Sequence, residues 1–404
     1  MYIALLGRQP ELSIAELERV FLNTRWFSSQ AALFDSPTPP NIQRLGGSQK
    51  LGRVIATVQS ADWKQAEKKL ITHYKKAWAK HDGKITLGLS AYGFTGTPNA
   101  RDLQKTGLII KSSLKKSGVS LRLIPNQEVA LSTATSHHNK LGLTNNKVEL
   151  LIVKGKGTII IAESLGAQNI TALAARDQGR PKRDAFVGML PPKLAQMLIN
   201  IAAGSKETEP TLHSGNGLQI LDPFCGTGVL LQEASLLGYD AYGTDLADKM
   251  ISYTEANLDW LEKTHHTTTA RHIHQGDAMD TVWDFSKPTA IAAEGYLGQP
   301  FSAPPSPTKL KEVQGNCNHI IGNFLKNLSA QVPTGTPVAL AVPAWRSKDL
   351  SPYGNQMFTH LPLVDEPERY GFTRIELTNA TPEQLLYFRP DQVVAREILL
   401  LRKA

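Results

Sequence analysis

Residues 218–245 constrain the fold more than any other stretch. Leu218-Gln219-Ile220-Leu221 is an apolar run suited to a buried strand, and it stops at Asp222-Pro223-Phe224-Cys225-Gly226-Thr227-Gly228. A helical stretch from Val229 to Leu237 follows, then Gly238 and a second strand-like run, Ala241 to Gly243, ending near Asp245. Strand, glycine turn, helix and strand in that order predict a βαβ unit. In open α/β sheets ligands bind at the carboxyl ends of the strands, which makes this turn a candidate site. Gly226 and Gly228 let the backbone approach a ligand with no Cβ in between. Asp245 is placed to accept hydrogen bonds from ribose hydroxyls.

That role for Asp245 suits a dinucleotide and other adenosine cofactors alike; two further details separate them. The dinucleotide fingerprint has a third glycine three residues after the second, and this chain has Leu231 there. Asp222, at the strand end, would stand beside a pyrophosphate and repel it. A ligand carrying ammonium and sulfonium charges would be attracted instead, and S-adenosylmethionine is such a ligand.

Downstream, the strand-like stretch Arg271 to His274 leads to Gly276-Asp277-Ala278, where Asp277 is a candidate acceptor for the adenine amine. The apolar run Ala290-Ile291-Ala292-Ala293 ends in Glu294-Gly295-Tyr296-Leu297-Gly298-Gln299-Pro300. Glu294 is thus the fourth acidic residue at an expected strand end, after Asp222, Asp245 and Asp277. Each alone reads as an ordinary surface carboxylate; their recurrence points to one ligand edge.

Charge divides the chain. Residues 1–170 hold 23 Lys and Arg against 11 Asp and Glu, a net of +12, whereas the remainder holds 21 against 25, a net of −4. A basic part that captures a polyanion and a second part that does chemistry are the expected arrangement. The two cysteines, Cys225 and Cys317, exclude a disulfide framework and a Cys-based metal site. No apolar run approaches the ~18 residues of a membrane span. A soluble protein of a reducing, cytoplasmic compartment, without membrane attachment, is expected.

The N-terminal half reads as short α+β units. A strand at residues 2–6 precedes a helix with Ser13 and Glu16 as a capping box. Leu51 to Val58 is strand-like and Trp63 to Ala79 a lysine-rich helix. A second unit opens near Lys84, with a helix from Ala100 to Lys116 patterned by Leu103, Leu108, Ile109 and Leu114. His137 and His138 lack a third ligand at suitable spacing and read as a polar loop, with no metal. Lys154-Gly155-Lys156-Gly157 joins two apolar runs as a hairpin turn. Thr171 to Asp184, with Arg176, Arg180, Lys182 and Arg183, reads as a solvated basic linker before the apolar Ala185, Phe186 and Val187. Leu386 to Leu401 reads as a hairpin.

Taken together, these stretches resemble the THUMP-domain class I methyltransferases that act on the exocyclic N2 amine of guanine in transfer RNA. The resemblance is carried by Gly7-Arg8-Gln9-Pro10-Glu11-Leu12-Ser13, the basic second unit, Val187-Gly188-Met189-Leu190-Pro191-Pro192-Lys193-Leu194-Ala195 and the Asp222 to Gly228 turn. It implies an α/β fold: a Rossmann-like methyltransferase domain over residues 186–404, preceded by a ferredoxin-like α+β unit (1–82), a THUMP-like RNA-binding unit (83–168) and a basic linker (169–185). It also implies S-adenosylmethionine held by Asp222, Phe224, Gly226, Gly228, Asp245 and Asp277, and a transfer RNA partner. The family's acceptor loop is Asp/Asn-Pro-Pro-Tyr/Phe; here Glu294-Gly295-Tyr296-Leu297 stands in its place, without the prolines and with the aromatic one position early. Glu294 and Tyr296 are the candidate catalytic residues, as amine acceptor and base-stacking ring. The alternatives are a non-catalytic cofactor- and RNA-binding protein of the same fold, and a methyltransferase acting on ribosomal RNA, DNA or protein. Neither cysteine has a proline-cysteine acceptor loop around it, so covalent catalysis is not expected.

Overall fold

The computed structural model describes residues 1–184, 190–214, 217–350 and 356–404. Ala185 to Met189, which include part of the Val187 lead-in and the start of the expected methyltransferase domain, lie outside these residues. The chain divides into two compact units, one of residues 1–14 and 21–173, the other of residues 15–20 and 174–404. Among the described residues no helix is long and apolar enough to cross a membrane.

In the first unit, strands β1 (Tyr2–Leu6), β2 (Leu22–Ser28), β3 (Ala31–Asp35), β4 (Ser48–Val58), β5 (Ile85–Tyr92), β6 (Leu121–Leu123), β7 (Lys147–Lys154) and β8 (Ile159–Ala167) form one sheet in the order β2-β3-β1-β4-β8-β7-β5-β6. The join between residues 1–82 and 83–168 is the antiparallel pair β4 and β8, with Val54 opposite Ala162. The expected hairpin joins β7 to β8, its turn closed by the Gly155 N–H donating to the Thr158 carbonyl at 2.8 Å.

Helix α1 (Pro10–Val20) begins earlier than a capping box at Ser13 requires. Proline suits a first helical turn, and Ser13, already inside the helix, donates its hydroxyl to the carbonyls of Gln9 and Gly47, each at 2.8 Å. Helices α2 (Trp63–Ala77) and α3 (Ala100–Lys115) follow. The stripe of α3 differs from expectation. Leu103, Ile110 and Leu114 are buried while Leu108 and Ile109 are exposed, because a helix turning 3.6 residues per turn carries 103, 110 and 114 on one face. His137 and His138 end a short helix, α4 (Thr133–His138), capped by Ser132, where a loop was expected.

This unit also buries an ion pair. Lys50 (2% exposed) and Glu149 (0%) meet side chain to side chain. Ser90 donates to the same carboxylate oxygen at 2.6 Å, and the Lys50 ammonium also donates to the Leu131 carbonyl at 2.8 Å.

Helix α5 (Ile170–Gly179) replaces the expected solvated linker over most of its length. Two of the basic side chains are not solvated. Arg176 makes a two-pronged contact with the buried Glu233 carboxylate at 2.8 and 2.9 Å, and Arg180 is buried beside Asp177.

The second unit contains α6 (Pro192–Ala203), α7 (Val229–Leu236), α8 (Asp248–His265) and α9 (Pro307–Ser329). Its strands are β9 (Gln219–Asp222), β10 (Asp240–Asp245), β11 (Arg271–Gln275), β12 (Thr289–Glu294), β13 (Pro337–Leu350), β14 (Gln356–Thr359), β15 (Phe372–Arg374), β16 (Leu386–Tyr387) and β17 (Val394–Lys403). The sheet runs β11-β10-β9-β12-β13-β17-β15. The first five are mutually parallel and β17 is antiparallel to β13, an α/β sheet of Rossmann type. The strand order reverses between β9 and β12, which is the position where such sheets open a crevice for ligands. Phe324, Leu325 and Leu328 of α9 cover one face, packing with Leu221, Ile291, Val338 and Leu340.

Leu231, which fills the place of the third fingerprint glycine, is accommodated from the other side. Gly243 on β10 has no side chain, and a Cβ there would lie 2.4 Å from Leu231 Cδ1 and 3.2 Å from Cys225 Cβ. The close approach of helix and strand is thus preserved with the glycine moved to the strand. Gly243→Ala is expected to destabilise the protein by about 1–3 kcal/mol, and adding Leu231→Ala to recover part of it. An unchanged denaturation midpoint in the single variant would refute this packing account.

The sheet also contains a notch. Trp345 of β13 pairs with Val394 of β17 on one edge and Thr359 of β14 on the other, while β12 pairs with β13 only as far as Ala341. Among the described residues, those between Ala341 and Trp345 therefore have no strand on that edge. The Arg346 N–H donates toward β17 and the Ala341 carbonyl accepts from Gly295. Alternation along the strand then turns the backbone nitrogen of residue 343 into the notch, and residue 343 is a proline, which has no N–H to leave unpaired.

Candidate active site

A cavity of about 580 Å³ opens at the carboxyl edge of the second sheet, lined by Asp222, Phe224, Gly226, Asp245, Asp277, Glu294 and Tyr296 among others. Seven of the eight residues singled out from sequence meet here. The eighth, Gly228, stands behind the lining as the N-cap of α7.

The turn after β9 is built from within. Gly226 and Gly228 have φ of +52° and +79°, the left-handed region where a side chain is strained. A Cβ on Gly228 would also lie 2.8 Å from Thr254. Thr254 donates its hydroxyl to the Gly226 carbonyl at 2.8 Å, and Asn257 donates to the Thr227 carbonyl at 2.8 Å. Both sit on α8 and neither was singled out from sequence, since their role depends on a helix packing against a turn some 30 residues earlier.

Each carboxylate is held differently. Asp245 accepts from the N–H of Gly226 (2.9 Å) and of Ala247 (2.9 Å), one on each oxygen, which fixes its plane and leaves further lone pairs for a ligand diol. The Gly226 amide is therefore committed to Asp245, whereas a dinucleotide turn offers such amides to phosphate. Asp277 accepts from the Met279 N–H at 2.9 Å, with Ala278 and Met279 beside it in the cavity wall. Asp222 is buried and accepts from the Phe224 N–H at 3.1 Å. Burial holds its carboxyl well above the usual range; the Phe224 amide opposes this, and the nearby charges of Asp245 and Glu294 add to it. Such a group favours a cationic ligand.

Glu294 ends β12 and forms an ion pair with Arg396 of β17, Nε to Oε1 at 2.5 Å. No motif near either residue signals this pair. Tyr296, 38% exposed, stands in the cavity wall rather than in the core. Leu246 and Ile320 add apolar wall.

The thiols are poor nucleophiles. Burial pushes Cys225 up, with Asp222 and Asp245 reinforcing it, and burial pushes Cys317 up to about 11. The cavity can thus bind a ligand carrying a diol, a flat heterocycle and a cation, and it can present a carboxylate and an aromatic ring to a second reactant.

No family model matches the chain. Over 169 residues it is 29% identical to the tRNA (guanine(10)-N2)-dimethyltransferase of Methanothermobacter thermautotrophicus, a stretch covering 41% of this chain and 43% of that relative. Over 99 residues it is 35% identical to the protein of the same name from Pyrococcus abyssi, covering 23% and 26%. The matches thus span less than half the length of these relatives. Among solved structures, TrmN from Thermus thermophilus aligns over 100% of this chain and 99% of its own at a TM-score of 0.48 and 16% identity.

Proposed function

We propose that this protein is an S-adenosylmethionine-dependent methyltransferase acting on the exocyclic N2 amine of a guanine in transfer RNA. The observation that carries this reading is the convergence on one cavity of four carboxylates from four neighbouring parallel strands or the loops that follow them. The partial matches to tRNA (guanine(10)-N2)-dimethyltransferases agree with it, as does the net +12 of residues 1–170, which suits capture of a polyanion.

The residues fit the cofactor by their donor chemistry. Asp245 would accept from the ribose hydroxyls, Asp277 from the adenine amine, and Asp222 would face the cationic end. Bound there, S-adenosylmethionine supplies an electrophilic methyl group on a sulfonium. Everything else falls to the chain. Much of the acceleration comes from holding two reactants in line. Tyr296 stacks on the target base, offsetting part of the few kcal/mol that extruding a base costs. Glu294 accepts from the target amine and draws its lone pair out of conjugation with the ring. A carboxylate only accepts, so it matches the adjacent N1–H and N2 donors of guanine and opposes the N1 lone pair of adenine.

Incubation with labelled cofactor and bulk transfer RNA tests the reading. Label in N2-methylguanosine is the expected result; cofactor binding with no transfer to any RNA would reject it.

A pH dependence follows from Asp222. Its pKa is raised in the folded protein, so folding becomes less favourable through this group as pH rises from the ordinary carboxyl range to the raised one. Binding of a cation runs the opposite way, because it prefers the ionised form. Affinity for S-adenosylmethionine is expected to rise with pH across that range, and Asp222→Asn to flatten the rise. A titration calorimetry series in which the parent protein shows flat or falling affinity would contradict this.

A further inference from the structure

Arg396 lies on β17, two strands from Glu294 and 102 residues away in the chain, yet the two side chains meet at 2.5 Å. They are 10% and 14% exposed, so the pair is largely shielded from water. The route between them crosses the notch in the sheet: Arg396 stands opposite Pro343 in the β13–β17 ladder, and Glu294 opposite Ala341 on the other edge. The pair engages Oε1 of Glu294 and leaves the lone pairs of Oε2 for a donor in the cavity that Glu294 lines.

A carboxylate on an ethylene stem has three rotatable bonds, and Glu294 is followed by Gly295, the least restrained of residues. Such a group is a poorly aimed acceptor unless something fixes it. The guanidinium is planar and directional, and it projects from a strand paired along its length, which makes it a suitable anchor.

We propose that Arg396 is a positioning residue of the methyl-transfer site: anchored in the sheet, it orients the Glu294 carboxylate toward the target amine. The restraint on the acceptor is thus supplied across the sheet rather than by the loop that follows β12. This inference rests on reading the cavity as a methyltransferase site.

The test uses the full chain with labelled S-adenosylmethionine and bulk transfer RNA, and compares R396Q, R396K, E294Q and the E294Q/R396Q double variant. R396Q is expected to lower kcat by about 30- to 100-fold, with KM for RNA and cofactor affinity within about threefold, as loss of orientation requires. R396K keeps the charge without the planar fork and is expected to fall between parent and R396Q, with kcat reduced by about 3- to 10-fold. The double variant is expected to be within about threefold of E294Q alone, since Arg396 acts through that residue.

R396Q at parental kcat, or losses that multiply in the double variant, would overturn the proposal. So would a loss appearing only in cofactor affinity and melting temperature. Should R396Q fail to fold, R396K decides: a lowered kcat at parental KM supports the proposal and a parental kcat overturns it. A parent protein that transfers methyl to no RNA overturns the reading of the cavity and this inference together. Transfer by the parent with indifferent Arg396 variants overturns this inference alone.

Discussion

Glu294→Gln is expected to reduce methyl transfer to RNA by about 10²- to 10³-fold, the usual cost of removing one preorganised polar group aimed at developing charge. The substitution keeps the shape of the side chain and replaces an oxygen that accepts with a nitrogen that donates. Facing an amine, that nitrogen opposes the donors it must receive. The loss should fall in kcat, because the amine's positive charge develops as the bond forms and the carboxylate interacts with it most strongly then. Cofactor affinity should change much less, since Asp222, Asp245 and Asp277 remain and the Glu294 charge is the smallest of the influences that raise Asp222. Rapid-quench measurement of a single turnover checks this directly. A variant within about fivefold of the parent, well below the loss a preorganised group would cause, would remove Glu294 from the reaction.

The second large effect concerns stability. Lys50→Met is expected to cost about 3–5 kcal/mol, because it leaves the Glu149 carboxylate buried beside Ser90 without its cation. One oxygen of Glu149 is already without a hydrogen-bond partner among the described residues, so no spare donor stands ready to take over. Removing both charges, as Lys50→Met with Glu149→Leu, should recover most of the loss, since a buried pair contributes little net stability over a packed apolar core. Denaturant unfolding followed by hydrogen exchange on β4 and β7 locates the effect. A single variant that unfolds at the parental midpoint would show that the pair is unimportant.

The parts of the molecule legible in the sequence are those set by short-range rules. The βαβ unit at 218–245 shows because an apolar run, two glycines and a helix follow one another directly. Asp222, Asp245, Asp277 and Glu294 could be grouped because parallel strands place their carboxyl ends on one edge, so strand ends far apart in sequence become neighbours in space. Where a choice rested on distant packing, the sequence was silent or misleading. Arg176 looks like a solvated linker charge until the distant Glu233 is seen beside it, and Arg180 until its burial is seen. Arg396 sits in an ordinary strand, and only the ladder brings it to Glu294. The exposed Leu108 and Ile109 failed for another reason, since they are adjacent and cannot both share a helix face with Leu103 and Leu114.

Pro343 carries a kinetic implication. An extended segment leaving β12 beside a complete strand edge would be drawn into register, one hydrogen bond after another, and would have to break them to move. With no donor at residue 343, displacement of the Glu294–Gly298 segment costs no ladder hydrogen bond at that position. On the proposed reading that segment would have to admit a bulky base and let a methylated one depart, and the missing donor at residue 343 removes one hydrogen bond that would otherwise hold it against the sheet.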